Sequence, residues 1–99
     1  MIMYNVTVSV DPEISDDWLN WMKEIHIPEV MGTELFDSYK IFKVLLQQDE
    51  TLTFSVQYFT GTMAKLQQYH AIHAAGLQAK HLERYGDKVA AFRTILESV

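Results

Sequence analysis

The stretch that decides the fold is residues 2–10, which read IMYNVTVSV. Large apolar side chains occupy every second position of this stretch, and most of the positions between them are polar. A period of two is typical of a β-strand that buries one face. We therefore expect a first strand from Ile2 to Val10, which Asp11 and Pro12 bring to an end.

A helix is expected after this strand. Ser15 is a suitable N-cap, and the two aspartates that follow it favour a first helical turn. Five apolar residues then recur at helical spacing: Ile14, Trp18, Trp21, Met22 and Ile25. Pro28 has no amide hydrogen and disfavours helical geometry at Ile27, so we expect the helix to end or kink near His26.

Two further strands and a turn are expected in the middle of the chain. Residues 38–48 are rich in β-branched and aromatic side chains, which favour a second strand. After a turn at Gln48–Thr51, a third strand is indicated by apolar residues at alternate positions: Leu52, Phe54, Val56 and Tyr58. These segments predict a β-hairpin.

A second helix should begin at Gly61 and Thr62 and end near Gly86. Its side chains within an arc of roughly 80°, at about 100° per residue, should face the sheet. These are Met63, Leu66, His70, His73 and Leu77. Residues 89–97 fit either a strand or a short helix, and we predict a strand because a helix would leave the first strand without an edge partner.

The element order βαββαβ predicts one α+β domain over residues 1–99. Right-handed crossovers give a ferredoxin-like, four-stranded antiparallel sheet, ordered 4-1-3-2, with both helices on one face. The second strand is apolar on both faces, with Tyr39, Ile41 and Leu45 on one and Phe42, Val44 and Leu46 on the other. We expect a second copy to cover the open face and form a dimeric α+β barrel; the alternative is a monomer with a solvated face.

Composition excludes several classes of function. The chain has 13 acidic and 8 basic residues and a formal net charge of -5, which argues against nucleic acid or an anionic membrane surface as partner. It has no cysteine, and its apolar runs are far shorter than the roughly 20 residues that cross a bilayer. We expect a cytoplasmic homodimer without disulfides.

His26 is the candidate catalytic residue. It follows two tryptophans at the end of the first helix, and the pKa of an unperturbed histidine lies near neutrality, which suits a general acid or base. The competing interpretation is a histidine that caps the carbonyl groups of the helix C-terminus.

The candidate ligand-binding residues are Trp18, Trp21, Tyr58, His81 and Arg93. Arg93 has the fork geometry that binds carboxylates and phosphates, although a salt bridge to Glu97 or to a partner subunit is the alternative. The two tryptophans fit a helix core as well as a pocket mouth. His70 and His73 have the spacing of a metal-ligand pair, but no suitable glutamate accompanies them, so we predict no metal and no cofactor.

Four segments carry a resemblance to a known family: MIMYNVTVSVD, WLNWMKEIHIPEVM, FSVQYF and LQAKHLERYGDKVAAFRTILE. Together they resemble DUF4286, a family of short bacterial proteins of unknown function. The resemblance implies the dimeric α+β barrel group, and His26-Ile27-Pro28 is similar to the H-x-P step of the EthD-like proteins. Some members of that broader group are monooxygenases or isomerases of small aromatic or polyketide compounds.

Three functional hypotheses follow. The leading one is a dimer that binds a small, partly apolar molecule between the helices and the sheet, with His26, His81 and Arg93 as its polar groups. The second is a cofactor-independent oxygenase or isomerase that uses His26 as a general base. The third is a structural or regulatory dimer without a ligand.

Overall fold

The alternating first segment forms the central strand of a four-stranded sheet. The structure, a computed structural model, describes residues 1–45 and 50–99. Its strands are β1 (Ile2–Val10), β2 (Ser38–Lys43), β3 (Leu52–Thr60) and β4 (Val89–Glu97). Its α-helices are α1 (Ser15–Trp21), α2 (Ile27–Met31), α3 (Met63–Tyr69) and α4 (Ala75–Tyr85).

The sheet has the order β2-β3-β1-β4, and all three pairings are antiparallel. This confirms the predicted order and the ferredoxin-like α+β class. β1 pairs with β3 from Ile2↔Thr60 to Val10↔Leu52, and with β4 from Ile2↔Glu97 to Val10↔Val89. Residues 89–97 therefore form the predicted strand, which gives β1 its second neighbour.

The first helix does not end at His26, so of the two alternatives expected there, an end or a kink, the end was wrong. A π-helical turn, Met22–His26, joins α1 to α2, and the helix continues to Met31. Pro28 explains the turn, because the wider hydrogen-bond spacing of a π-helical turn moves away the carbonyl group with which the proline ring would otherwise clash. The predicted cap and one predicted core residue were also wrong: the Ser15 hydroxyl donates to the Pro12 carbonyl, and Ile25 is exposed.

The second helix begins as predicted, with the Thr62 side chain accepting from the Lys65 amide, and ends at Gly86, whose φ is 56°. A second π-helical turn, His70–Ala74, joins α3 to α4. The buried residues of this helix are Leu66, Tyr69, Ala74, Leu77 and Tyr85, and the turn shifts the inward side for those that follow it. The predicted stripe is therefore only half right, since Met63 and His70 are exposed.

Both helices pack on one face of the sheet. The inner face of β1 and β3 supplies buried side chains at alternate positions: Ile2, Tyr4, Val8, Val10, Phe54, Val56 and Tyr58. The helices supply Trp18, Ile27, Val30 and Leu66, each at most 1% exposed. Burying large apolar side chains against one another is what holds the two layers together.

The other face of the sheet carries no helix in the described structure. Its centre is polar and hydrogen-bonded: Ser55 donates to Asn5 (2.6 Å), Asn5 donates to Thr7 (2.9 Å), and Gln57 donates to Ser55 (3.1 Å). Its margins are apolar and exposed, with Phe42 on β2 and Phe92 and Leu96 on β4.

The expected second strand was too long, because β2 ends at Lys43 and Val44 and Leu45 follow it outside the strand. Leu46 and part of the predicted turn at Gln48–Thr51 lie outside the described residues. Within residues 1–45 and 50–99, no helix is long and apolar enough to cross a membrane.

Candidate functional site

A cavity of about 40 Å³ lies between the helices and the inner face of the sheet. A buried water needs roughly 10–15 Å³ of cavity volume, so the cavity has room for a few water molecules. Its lining comprises Tyr4, Val6, Val8, Met22, His26, Val30, Val56, Tyr58, Tyr69, Leu77, Gln78, His81, Ala91 and Arg93. The walls are thus apolar, with a cluster of nitrogen and hydroxyl groups set among them.

The π-helical turn of the first helix places two of these residues. Met22 opens the turn and His26 closes it, and both line the cavity. The ring of His26 lies 5.9 Å from that of His81 on α4, measured between centroids. π-helical turns inside α-helices occur frequently at functional sites. The turn thus brings one histidine opposite the other.

A hydrogen bond from Trp18 orients the His81 ring. The indole nitrogen of Trp18 lies 2.9 Å from His81 Nε2. An indole N–H only donates, so Nε2 must accept and the neutral imidazole must carry its proton on Nδ1. Burial, and then the charge of Arg93, lower the pKa of His81. His81 is therefore a neutral group whose free nitrogen is a hydrogen-bond donor.

His26 is the more perturbed of the two histidines. Its ring lies against Trp21, with centroids 5.0 Å apart, and its Nδ1 is buried without a hydrogen-bond partner among the described residues. Burial first and then His81, with smaller effects of Arg93 and Lys80 and against the charge of Glu29, lower the pKa of His26 to about 4. His26 is thus neutral at pH 7, with one nitrogen unpaired.

Three tyrosines line the same cavity. Burial raises the pKa of Tyr4, while Arg93 and Gln78 act in the opposite direction. Burial also raises the pKa of Tyr58 and of Tyr69. All three are neutral phenols at pH 7 and can donate hydrogen bonds.

Four of the six residues predicted for the site line this cavity: His26, Tyr58, His81 and Arg93. Trp18 and Trp21 do not line it, because they lie behind the histidines, 0% and 7% exposed. Their predicted contact with a ligand stays a prediction, and what the structure shows is that they position the imidazole rings.

Sequence reasoning missed Tyr4, Tyr69 and Gln78. Tyr4 carries a usable signal, because it shares the inward alternation of β1. Tyr69 falls outside the inward arc of a regular α-helix and turns inward next to the π-helical turn. Gln78 has no signal in the sequence that separates it from the other glutamines.

The remaining histidines, His70 and His73, do not line the cavity. His70 Nδ1 is 3.1 Å from the Leu66 carbonyl oxygen, and the His73 ring lies beside Tyr69. Among the residues that the structure describes, no group of three or more histidines and carboxylates is arranged to hold a metal ion.

Acid should destabilise the fold through His26. Its pKa is about 4 in the folded chain and about 6.5 when unfolded, so the unfolded chain binds more protons between these values. We expect the free energy of unfolding to fall by about 2–3 kcal/mol as the pH drops from 6.5 to 4. Urea titrations across this pH range should show the decline in the wild type and in the control variant His73→Asn. The decline should be absent in His26→Asn. Parallel declines in all three proteins would contradict the assignment.

Comparison with known proteins supplies a family and a structural neighbour. The sequence profile of DUF4286, a domain of unknown function, matches residues 1–99. A crystal structure of an ethyl tert-butyl ether degradation (EthD) family protein from Bacillus halodurans is similar, with a TM-score of 0.69, 14% identity and all of both chains covered. No curated protein matches the sequence. At 14% identity, the structural neighbour shows a shared fold alone.

Proposed function

This chain belongs to the DUF4286 family, a domain of unknown function, and we propose that it binds a small, partly apolar molecule in the inner cavity. One observation carries the proposal: the cavity is lined by His26, whose buried Nδ1 has no partner among the described residues. An unsatisfied buried polar atom costs roughly 1–3 kcal/mol. A ligand that supplies the missing hydrogen bond removes that cost.

The walls of the cavity favour a ligand with an apolar body. Met22, Val30 and Leu77 from the helices face Val6 and Val56 from the sheet. The volume of about 40 Å³ is small for a ring, so a ring-sized ligand requires side chains to move. Arg93 is the side chain best placed to move, because it is exposed on the edge strand β4.

We also propose that the protein is a homodimer in which the two copies contact each other through the open face of the sheet. Phe42, Phe92 and Leu96 are 44–64% exposed there, and a second copy would cover them. The polar centre of the face is already linked by hydrogen bonds through Asn5 and Ser55, which lowers the cost of burying it. A solution mass near twice 11.5 kDa is the expected result in analytical ultracentrifugation. The cytoplasmic location expected from the sequence stays a prediction.

An enzyme is the second candidate, because His26 is neutral at pH 7 and has an unpaired nitrogen. Such a group can accept a proton in a cofactor-independent oxygenation or isomerisation, and the neighbouring phenols can donate hydrogen bonds to a developing oxyanion. A pKa of about 4 makes a weak base at pH 7, which is why binding stands first. The structural dimer without a ligand is the third candidate.

A thermal-shift screen tests the proposal. The panel consists of small aromatic acids, quinones, haem, flavins and divalent metals, applied to the wild type, His26→Ala and His73→Ala. A ligand at 100 times its Kd stabilises the fold by about 2.7 kcal/mol, which corresponds to several degrees in a domain of this size. We expect a hit that His73→Ala keeps and His26→Ala loses.

The same screen separates the three candidates. A hit that persists in His26→Ala would place the ligand elsewhere and overturn the assignment of the cavity. Silence across the panel would favour the structural dimer. Turnover of a hit by the wild type, abolished in His26→Ala while binding is retained, would establish the enzyme.

A further inference from the structure

The cavity contains one unbalanced positive charge. Among the described residues that line it, Arg93 is the only one charged at pH 7, and no aspartate or glutamate lines it. The two ion pairs of the described structure lie elsewhere, Lys80 with Glu29 at 2.7 Å and Arg84 with Asp17 at 3.4 Å. Within residues 1–45 and 50–99, no carboxylate forms an ion pair with the guanidinium of Arg93.

The fold aims Arg93 at the cavity. It pairs with Val6 in the β1–β4 register, and paired residues share a face of the sheet, so its side chain lies on the inner face with Tyr4. Tyr4, which lines the same cavity, is a neutral phenol. The same charge acts on both cavity histidines, His26 and His81. The cation thus lies at the exposed edge of a cavity whose other polar lining groups, among the described residues, are neutral.

We propose that the ligand is a small organic monoanion, a carboxylate on an apolar or aromatic body, whose anionic group binds Arg93. This inference rests on the proposed function and names its ligand class. The planar guanidinium fork matches a carboxylate with two parallel hydrogen bonds. The Tyr4 hydroxyl and the Nδ1 proton of His81 supply neutral donors close by. The apolar walls receive the body of the acid.

The charge balance selects a monoanion over a phosphate. A phosphate group carries close to two negative charges at neutral pH, and one guanidinium leaves part of that charge uncompensated in a cavity of neutral groups. The chain as a whole has a net charge of -5, which disfavours a second negative charge further. A carboxylate is matched by the single cation.

NMR titration with matched pairs of probes tests the ligand class. The probes are benzoate against benzamide, and propionate against propionamide, which differ in charge and hardly in shape. The chain has two tryptophans, and the Trp18 indole N–H reports directly on His81. We expect the wild type to prefer each acid over its amide by about tenfold or more, as charge-assisted hydrogen bonds require.

Variants assign the preference to Arg93. Arg93→Gln should abolish it and Arg93→Lys should keep part of it, while Arg84→Gln, which removes the same charge outside the cavity, should leave it intact. Equal affinity for acid and amide in the wild type would overturn the proposal that the ligand is an anion. It would leave the proposal of ligand binding intact. The same holds if only neutral compounds of the screen bind. Silence towards every compound would overturn both proposals.

Discussion

Replacing Trp18 with alanine is expected to lower the free energy of unfolding by about 3–5 kcal/mol, the range for deleting a fully buried aromatic side chain. The Trp18 side chain is 0% exposed and lies against Phe54, with ring centroids 5.0 Å apart. Its loss opens a void between helix and sheet and removes the hydrogen bond to His81. Urea unfolding at pH 7 measures the change. Since small domains are stable by roughly 5–15 kcal/mol, this variant should be only marginally folded.

Two further variants separate packing from hydrogen bonding. Trp18→Phe keeps most of the ring and loses the N–H, so it should cost less than alanine while leaving His81 Nε2 without its donor. Leu82→Ala is the control, because Leu82 is 66% exposed on α4 and its truncation should change stability by less than about 0.5 kcal/mol. A loss below about 1 kcal/mol in Trp18→Ala would contradict the central place of this side chain in the core.

The strands were predictable because their signal is local and repeated. The alternation over residues 2–10 fixes which face of β1 is buried, and a strand so buried needs partners on both edges. That requirement, and not propensity alone, decided residues 89–97 in favour of a strand. The topology then follows from short right-handed connections. The sheet order and the fold class could therefore be predicted from the sequence.

The helices were predicted less well, because both contain π-helical turns. The turn at Met22–His26 has a visible cause in Pro28, but the sequence did not say whether the helix would end or widen there. The turn at His70–Ala74 contains neither proline nor glycine and leaves no comparable signal. The extra residue in the turn rotates all that follows, which puts Ala74 in the buried stripe where regular spacing predicted His73.

Only about half of the candidate site could be predicted from the sequence, for the same reason. His26 and Arg93 stand out by residue type and neighbours, and both line the cavity. Their association with His81 and Tyr4 depends on packing between distant segments, which no local pattern encodes. The two tryptophans lie behind the histidines, which is the helix-core alternative that the sequence also allowed, and their contact with a ligand stays a prediction.

Replacing Phe92 with glutamate is expected to convert the proposed dimer into a monomer. Phe92 is 64% exposed at the apolar margin of the open face, opposite Thr7 in the register of β4 on β1. A carboxylate buried there without a partner costs several kcal/mol, so the dimer Kd should rise by at least about a hundredfold. Analytical ultracentrifugation over a range of protein concentrations measures the change.

Leu82→Glu is the matched control for this experiment. Leu82 is 66% exposed on α4, so the same charge enters at the same degree of exposure but on the helical side of the molecule. It should leave the dimer unchanged. Both variants should keep the wild-type urea midpoint of the isolated monomer, because each removes an exposed side chain. A dimer that survives Phe92→Glu, or a wild type that sediments as a monomer, would show that the open face is not the contact between copies. The cavity would then have to be completed within a single chain, as Arg93 and the two histidines already permit.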